Sequence, residues 1–175
     1  VSFRRDVIAA MNVGGCNAGA CHGTPSGKNG FKLSLRGFDP AADFTQLTRD
    51  VLARRTLAQE PEQSLFLLKG MGRVPHEGGQ RFAASAVATR AVKQWLAEGM
   101  KNDEATLPAV TKVVIEPGSR VLLKPSKWPQ LAVSAQFADG AIRDVTRLTN
   151  FSSSDPAVAE VSGTGLVEFR QPGEV

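Results

Sequence analysis

Cysteine and histidine are scarce in this chain of 175 residues: there are two of each. So small a supply makes their placement informative. Long apolar runs are missing too. None approaches the ~20 residues that a membrane-spanning helix needs, so no transmembrane segment is expected. No signal peptide is visible. The chain starts at Val1 rather than Met, which reads as processing or excision from something longer and leaves export open. Apolar and charged fractions of 42% and 22% argue against a disordered chain. A lysine–arginine block of the kind that marks a nucleic-acid stripe is also missing, so no nucleic-acid partner is expected. Residues 1–105 hold 14 Lys/Arg against 10 Asp/Glu, and residues 106–175 hold 7 against 7. The whole net charge of +4 therefore sits in the first part, as a mildly basic solvated surface.

What is present falls into two grammars. Residues 1–105 read as helical. SFRRDVIAAMN puts Phe3, Val7, Ile8 and Met11 on one stripe behind a Ser2 cap. DPAADFTQLTRDVLARR starts from Asp39 and Pro40 and lines Phe44, Leu47 and Val51 along one face. PEQSLFLLKGMG predicts a short helix entered through Pro61 and ended by Gly70 or Gly72. ASAVATRAVKQWLAEGM repeats Val87, Ala91, Val92 and Trp95 and closes at Gly99. Loops rich in glycine and proline, 12–40 and 70–82, lie between them.

From about residue 108 the period changes. LAVSAQFADG alternates Leu131, Val133, Ala135 and Phe137 to one side, which marks a half-buried strand. Asp139-Gly140 signals a hairpin turn, and AIRDVTRL returns as a second strand. PAVAEVS and GLVEFRQPG add two more short strands. This part contains no cysteine or histidine, and Asp139, Asp144 and Asp155 lack the spacing of a calcium loop. Trp128 beside Pro129 is a candidate contact residue or a core tryptophan. The expected fold is two domains: an all-α domain over 1–107, then an all-β Ig-like sandwich over 108–175 that is incomplete at its C-terminus.

Both cysteines lie in GGCNAGACHG, residues 14–23, and a histidine follows the second directly. Two thiols with a histidine after the second is how a c-type haem is attached: the thiols add to the vinyl groups and the histidine ligates the iron. That assigns Cys16 and Cys21 to covalent attachment of one haem c and His22 to the proximal iron position. Four residues separate the cysteines instead of the usual two. Asn17, Ala18, Gly19 and Ala20 are small or turn-tolerant, so they suit a bulge that keeps the thiols at the fixed vinyl spacing. Three other readings of the same residues stay open. One is a local Cys16–Cys21 disulfide. Another is a zinc site of Cys16, Cys21, His22 and His76. The third is a catalytic thiol with His76 as base.

The blocks FRRDVIAAMNVGGCNAGACHG, GKNGFKLSLRGFDPAADF, PEQSLFLLKGMGRVPHEGG and VKQWLAEGM, with the pair Arg54-Arg55, resemble the cytochrome c-like domains of large exported planctomycete proteins. LAVSAQFADGAIRDVT and FSSSDPAVAEVSGTGLVEF resemble the bacterial Ig-like domain of group 2. The resemblance implies a periplasmic or cell-surface location and further C-terminal domains.

For the distal iron position the candidates are His76, in the loop GRVPHEGG, and Met71; Met11 and Met100 read as core or helix-end residues. Lys28, Lys32, Arg36, Arg73 and Arg81 flank the region as candidate partners of haem propionates or of an acidic redox protein. The function expected is an exported mono-haem c-type cytochrome that passes electrons to a redox partner protein, with the Ig-like part as a spacer or interaction module. The alternatives are a zinc- or disulfide-stapled adhesion protein, and an open-site haem protein such as a peroxidase or gas sensor.

Overall fold

The computed structural model describes residues 1–103, 107–123 and 129–175; Trp128 lies outside them. The chain divides into two compact units, Val1–Ala105 and Thr106–Val175. No helix among the described residues is long and apolar enough to cross a membrane.

The expected pairing of an all-α domain with an Ig-like sandwich is not what forms. The chain is mixed, 28% helical and 16% strand, and most of the first unit is turn and loop. Its helices are short: α1 (Ile8–Val13), α2 (Pro40–Thr48), α3 (Leu65–Gly70) and α4 (Val87–Ala97). A π-helical turn, Phe3–Val7, leads into α1, and Ser2 caps it by accepting from Arg5 N at 3.0 Å. Short length has local causes. At the end of α2, Val51, Leu52 and Ala53 take positive φ of 49°, 57° and 56°, so the helix expected to run to Arg55 stops at Thr48. Val51, expected on the buried stripe, is 48% exposed. Before α3 the chain makes a 3-10 turn over Pro61–Gln63 and breaks at Ser64, whose ψ of 125° is extended.

The helical stripes meet as their periodicity requires. Phe3, Val7, Met11, Val92, Trp95 and Leu96 are buried and bring α1, its π-helical lead and α4 together. Phe3 stands edge-on to Phe44 at 5.2 Å and lies 5.1 Å from Trp95, distances at which aromatic pairs attract beyond simple burial. Trp95 Nε1 donates to Lys101 O at 2.9 Å, which satisfies the one polar atom of that ring.

The second unit holds a three-stranded antiparallel sheet in the order β1–β2–β3, from Val110–Glu116, Ala132–Phe137 and Ile142–Asp144. Val133, Ala135 and Phe137 are buried, as the alternation requires. Gln136 pairs with Ile142 across the Asp139-Gly140 turn, and Asp139 accepts from Ala141 N. A separate hairpin joins β4 (Ala159–Val161) to β5 (Val167–Phe169). Backbone bonds tie it to residues 129–131: Leu131 N donates to Gly165 O and Val167 N to Pro129 O. Among the described residues, three of the five strands are three residues long. An Ig-like sandwich needs about seven strands in two facing sheets, so this arrangement is a small sheet with a hairpin. AIRDVTRL gives three paired residues because Thr146–Leu148 turns into a 3-10 helix.

Candidate functional site

The site grows from the C-terminal end of α1. Gly14 closes that helix, and Cys16 N donates back to Met11 O at 2.9 Å. The cysteine loop then folds on itself: Cys21 N and Gly23 N both reach Ala18 O, and His22 N donates to Cys16 O at 3.0 Å. The loop admits no side chain at 23, where a Cβ would lie 2.2 Å from Asn17 O. On its other side the loop meets Phe82, whose ring occupies the space beside both Gly14 and Gly70; a Cβ at either position would come within 2.5 Å of it. Arg81 N and Phe82 N donate to Gly70 O. Two glycines and one phenylalanine thus dock the cysteine loop against the end of α3, and Arg81 Nη2 lies 3.6 Å from Cys21 Sγ.

Cys16, Cys21, His22 and His76 all line one cavity of about 860 Å³, open space at its mouth included. Leu65, Phe66 and Phe31 supply apolar wall. Both cysteines are free thiols; Cys16 is buried and Cys21 half-buried. Burial pushes the Cys16 thiol up to about 12, partly opposed by the positive charge of Arg81, so it is held as the neutral thiol.

The two histidines are arranged alike. His22 Nδ1 donates to Phe31 O at 3.0 Å, and His76 Nδ1 donates to Gly79 O at 2.9 Å. Because a carbonyl only accepts, Nδ1 carries the proton in both rings, and in the neutral imidazole Nε2 is left with a free lone pair. Burial lowers the pKa of His22, which favours that neutral form. The rings are parallel within 7° with centroids 6.3 Å apart. That separation lies at the far end of the range over which aromatic rings pair. The same separation would leave room for a metal ion between the two rings if both Nε2 atoms turned toward it, since each metal–nitrogen bond is about 2 Å.

Each ring has its own support. His22 lies 4.6 Å from the Phe31 ring, which carries the Arg55 guanidinium on its face at 4.5 Å. His76 sits in a turn closed by Gly79 N donating to His76 O, and Lys69 Nζ steadies the preceding residue by donating to Pro75 O at 2.9 Å.

Met71, the other distal candidate, lines a neighbouring space with Arg73, Val74 and His76 that does not include His22. Met11 is fully buried in the helical core, and Met100 follows Gly99 at the end of α4. Of the flanking cations, Lys28 and Arg81 line the cavity of the two histidines; Lys32, Arg36 and Arg73 do not. Arg54 and Arg55 line it as well; the sequence marks them only as a pair within the family resemblance, with no role attached. The signal available was the adjacent arginine pair itself, which a continuous helix would have left on its solvent side.

No family model matches the chain, and no curated protein or solved structure matches it either. Among the described residues no group of three or more histidines, cysteines or carboxylates comes together as ligands for a metal ion. A four-ligand zinc site on Cys16, Cys21, His22 and His76 is therefore not assembled. His22 and His76 would suffice only for a metal held in a group that brings further donors of its own.

Proposed function

We propose that residues 1–105 form a haem-binding electron-transfer unit. In it one haem c is joined to Cys16 and Cys21, and its iron is held between His22 and His76. The observation that carries this reading is the histidine pair: parallel rings 6.3 Å apart, each with Nδ1–H given to a backbone carbonyl. A carbonyl partner on the far nitrogen fixes the tautomer and raises the basicity of the metal-facing one.

The residues present fit the group. In each attachment the S–H adds across a vinyl C=C, the sulfur bonding to one carbon and the hydrogen to the other, with no net change of oxidation state. The buried Cys16 and half-buried Cys21 are both free thiols facing the cavity. Bound haem supplies one-electron redox chemistry. The chain's own part is to orient two imidazoles, to exclude water with Phe31, Leu65 and Phe66, and to surround the cofactor with cations. Two imidazole ligands favour low-spin iron with a lower potential than histidine–methionine ligation gives. The second unit, without histidine or cysteine, serves in this proposal as a spacer or interaction module. A periplasmic or cell-surface setting and a redox partner protein belong to the same proposal.

The test is an absorption spectrum of protein matured with a cytochrome c assembly system, before and after extraction with acid acetone. Sharp reduced α and β bands that stay with the polypeptide are expected, and H76A is expected to lose the six-coordinate low-spin spectrum. A colourless protein, or an H76A spectrum identical to the parent, overturns the assignment.

A further inference from the structure

Five cations line the cavity: Lys28, Arg54, Arg55, Lys69 and Arg81. Four have work that can be named. Arg55 is 4% exposed and donates to Gln46 O, Gly30 O, Asp50 O and Asp50 Oδ2. Lys69 donates to Pro75 O. Lys28 lies 3.8 Å from Glu77 Oε1. Arg81 stands at the Cys21 sulfur. Among the described residues the Arg54 guanidinium alone of the five has no hydrogen-bond or ion-pair partner.

The backbone beneath Arg54 is unusual. Three successive non-glycine residues, Val51, Leu52 and Ala53, hold left-handed φ values, a conformation that costs roughly 1–2 kcal/mol per residue for L-amino acids. Apolar burial does not compensate at the apex, because Leu52 is 98% exposed. What the turn does accomplish is a change of direction between neighbours. Arg55 enters the protein and makes four hydrogen bonds, two of them to Asp50 where the turn begins, while the adjacent Arg54 is left at the cavity, exposed and free. Strain kept at a place where it aims a side chain is a mark of a binding feature.

We infer that Arg54 is the carboxylate-binding residue of the cofactor pocket, and that the left-handed turn at 51–53 exists to present it. The inference rests on the haem reading. A haem carries its two vinyl groups on one edge and its two propionates on the opposite edge. Arg81, 3.6 Å from a thiol that would take a vinyl group, would lie nearer the vinyl edge than the propionates. Arg54, the cation without a partner, is assigned to them, and a guanidinium suits a carboxylate through paired, charge-assisted hydrogen bonds. Of the cations singled out from the sequence for this role, none is Arg54.

The experiment uses matured protein with haem attached, so that a weakened ion pair does not release the cofactor. Midpoint potentials are measured between pH 5 and 9 for the parent, R54Q, R54K and R81Q. Loss of the guanidinium raises the propionate pKa. R54Q is therefore expected to show a stronger pH dependence of the potential near neutrality than the parent. R54K is expected to recover most of the parent profile, and R81Q to keep it. A shift of the carboxylate stretching bands in the infrared redox difference spectrum of R54Q, absent in R81Q, is the second expected readout. An R54Q profile that overlays the parent, or a larger change in R81Q than in R54Q, overturns the inference. A protein that holds no covalent haem overturns the parent reading and this one with it, and that result is seen at the extraction step, before any titration.

Discussion

On one side of the first unit, Phe3, Phe44 and Trp95 meet ring against ring, and Val7, Met11 and Val92 fill the space between helices. On the other side, loops 14–33 and 70–82 are each held by single backbone bonds, glycine contacts and side chains that reach carbonyls. The first side is held by apolar area, which is non-directional and tolerates repacking. The second is held by directional bonds to fixed atoms, such as His22 to Phe31 O and Arg55 to Gly30 O. The difference teaches where chemistry can be placed. Directional bonds orient a ring to within a few degrees, whereas a packed core offers its side chains no access. Asn17 marks the seam: it lies within the cysteine loop yet is fully buried, and its side-chain oxygen and nitrogen have no protein partner.

The comparison breaks most visibly at Trp95. W95A removes a side chain with no solvent exposure and is expected to lower stability by about 3–5 kcal/mol. Urea titration of haem-free protein followed by circular dichroism measures this, beside H76A, whose ring lies in the cavity loop and whose loss, with no iron to ligate, is expected to leave the unfolding midpoint nearly unchanged. If both substitutions cost the same, the two sides do not differ in kind.

The same division explains what the sequence discloses and what it hides. Apolar spacing reports burial, so Phe3, Val7, Met11, Val92 and Trp95 were legible as one core, and Val133, Ala135 and Phe137 as one strand face. Scarcity brought out Cys16, Cys21, His22 and His76, which line one cavity. Spacing does not report where a chain turns against its propensity. The stripe of α2 extended on paper to Val51, but the left-handed run at 51–53 cut it short and sent Arg54 and Arg55 in different directions. β1, Val110–Glu116, has no buried residue, so its apolar positions had no inward side to announce it as a strand. The sandwich was inferred from short strands and turns, and those features are equally those of a small sheet with a separate hairpin.

A smaller effect, of opposite sign, tests the left-handed turn. L52G replaces a side chain that is 98% exposed, so few contacts are lost. Glycine takes φ of 57° at no steric cost, while its greater freedom in the unfolded chain offsets part of that relief. The net expectation is about 0.5–1 kcal/mol of added stability, seen as a rise of a few degrees in the thermal midpoint. Destabilisation by L52G would show that the turn is not strained and would remove one support for its role under Arg54.

The smallest effect lies where the helical side meets the loops. Asp43 is fully buried in α2 and accepts from Ser34 N at 2.6 Å and from Ser34 Oγ at 2.7 Å, tying the loop before α2 to the helix. Burial raises its pKa, and the two bonds from Ser34 oppose the rise. A carboxyl whose folded pKa lies above its unfolded value of about 3.9 binds its proton more tightly in the folded state. Its contribution to stability is then largest at acid pH and declines as pH rises through the window that begins near that unfolded value. D43N does not titrate. The parent is therefore expected to gain on D43N as the pH is lowered from 6 to 4, by a fraction of the ~1.4 kcal/mol that corresponds to one pKa unit. Thermal midpoints of the two proteins across that range give the sign. A parent that instead loses ground to D43N on acidification would mean that the Ser34 bonds outweigh burial, and that this contact belongs with the directional bonds of the cavity side.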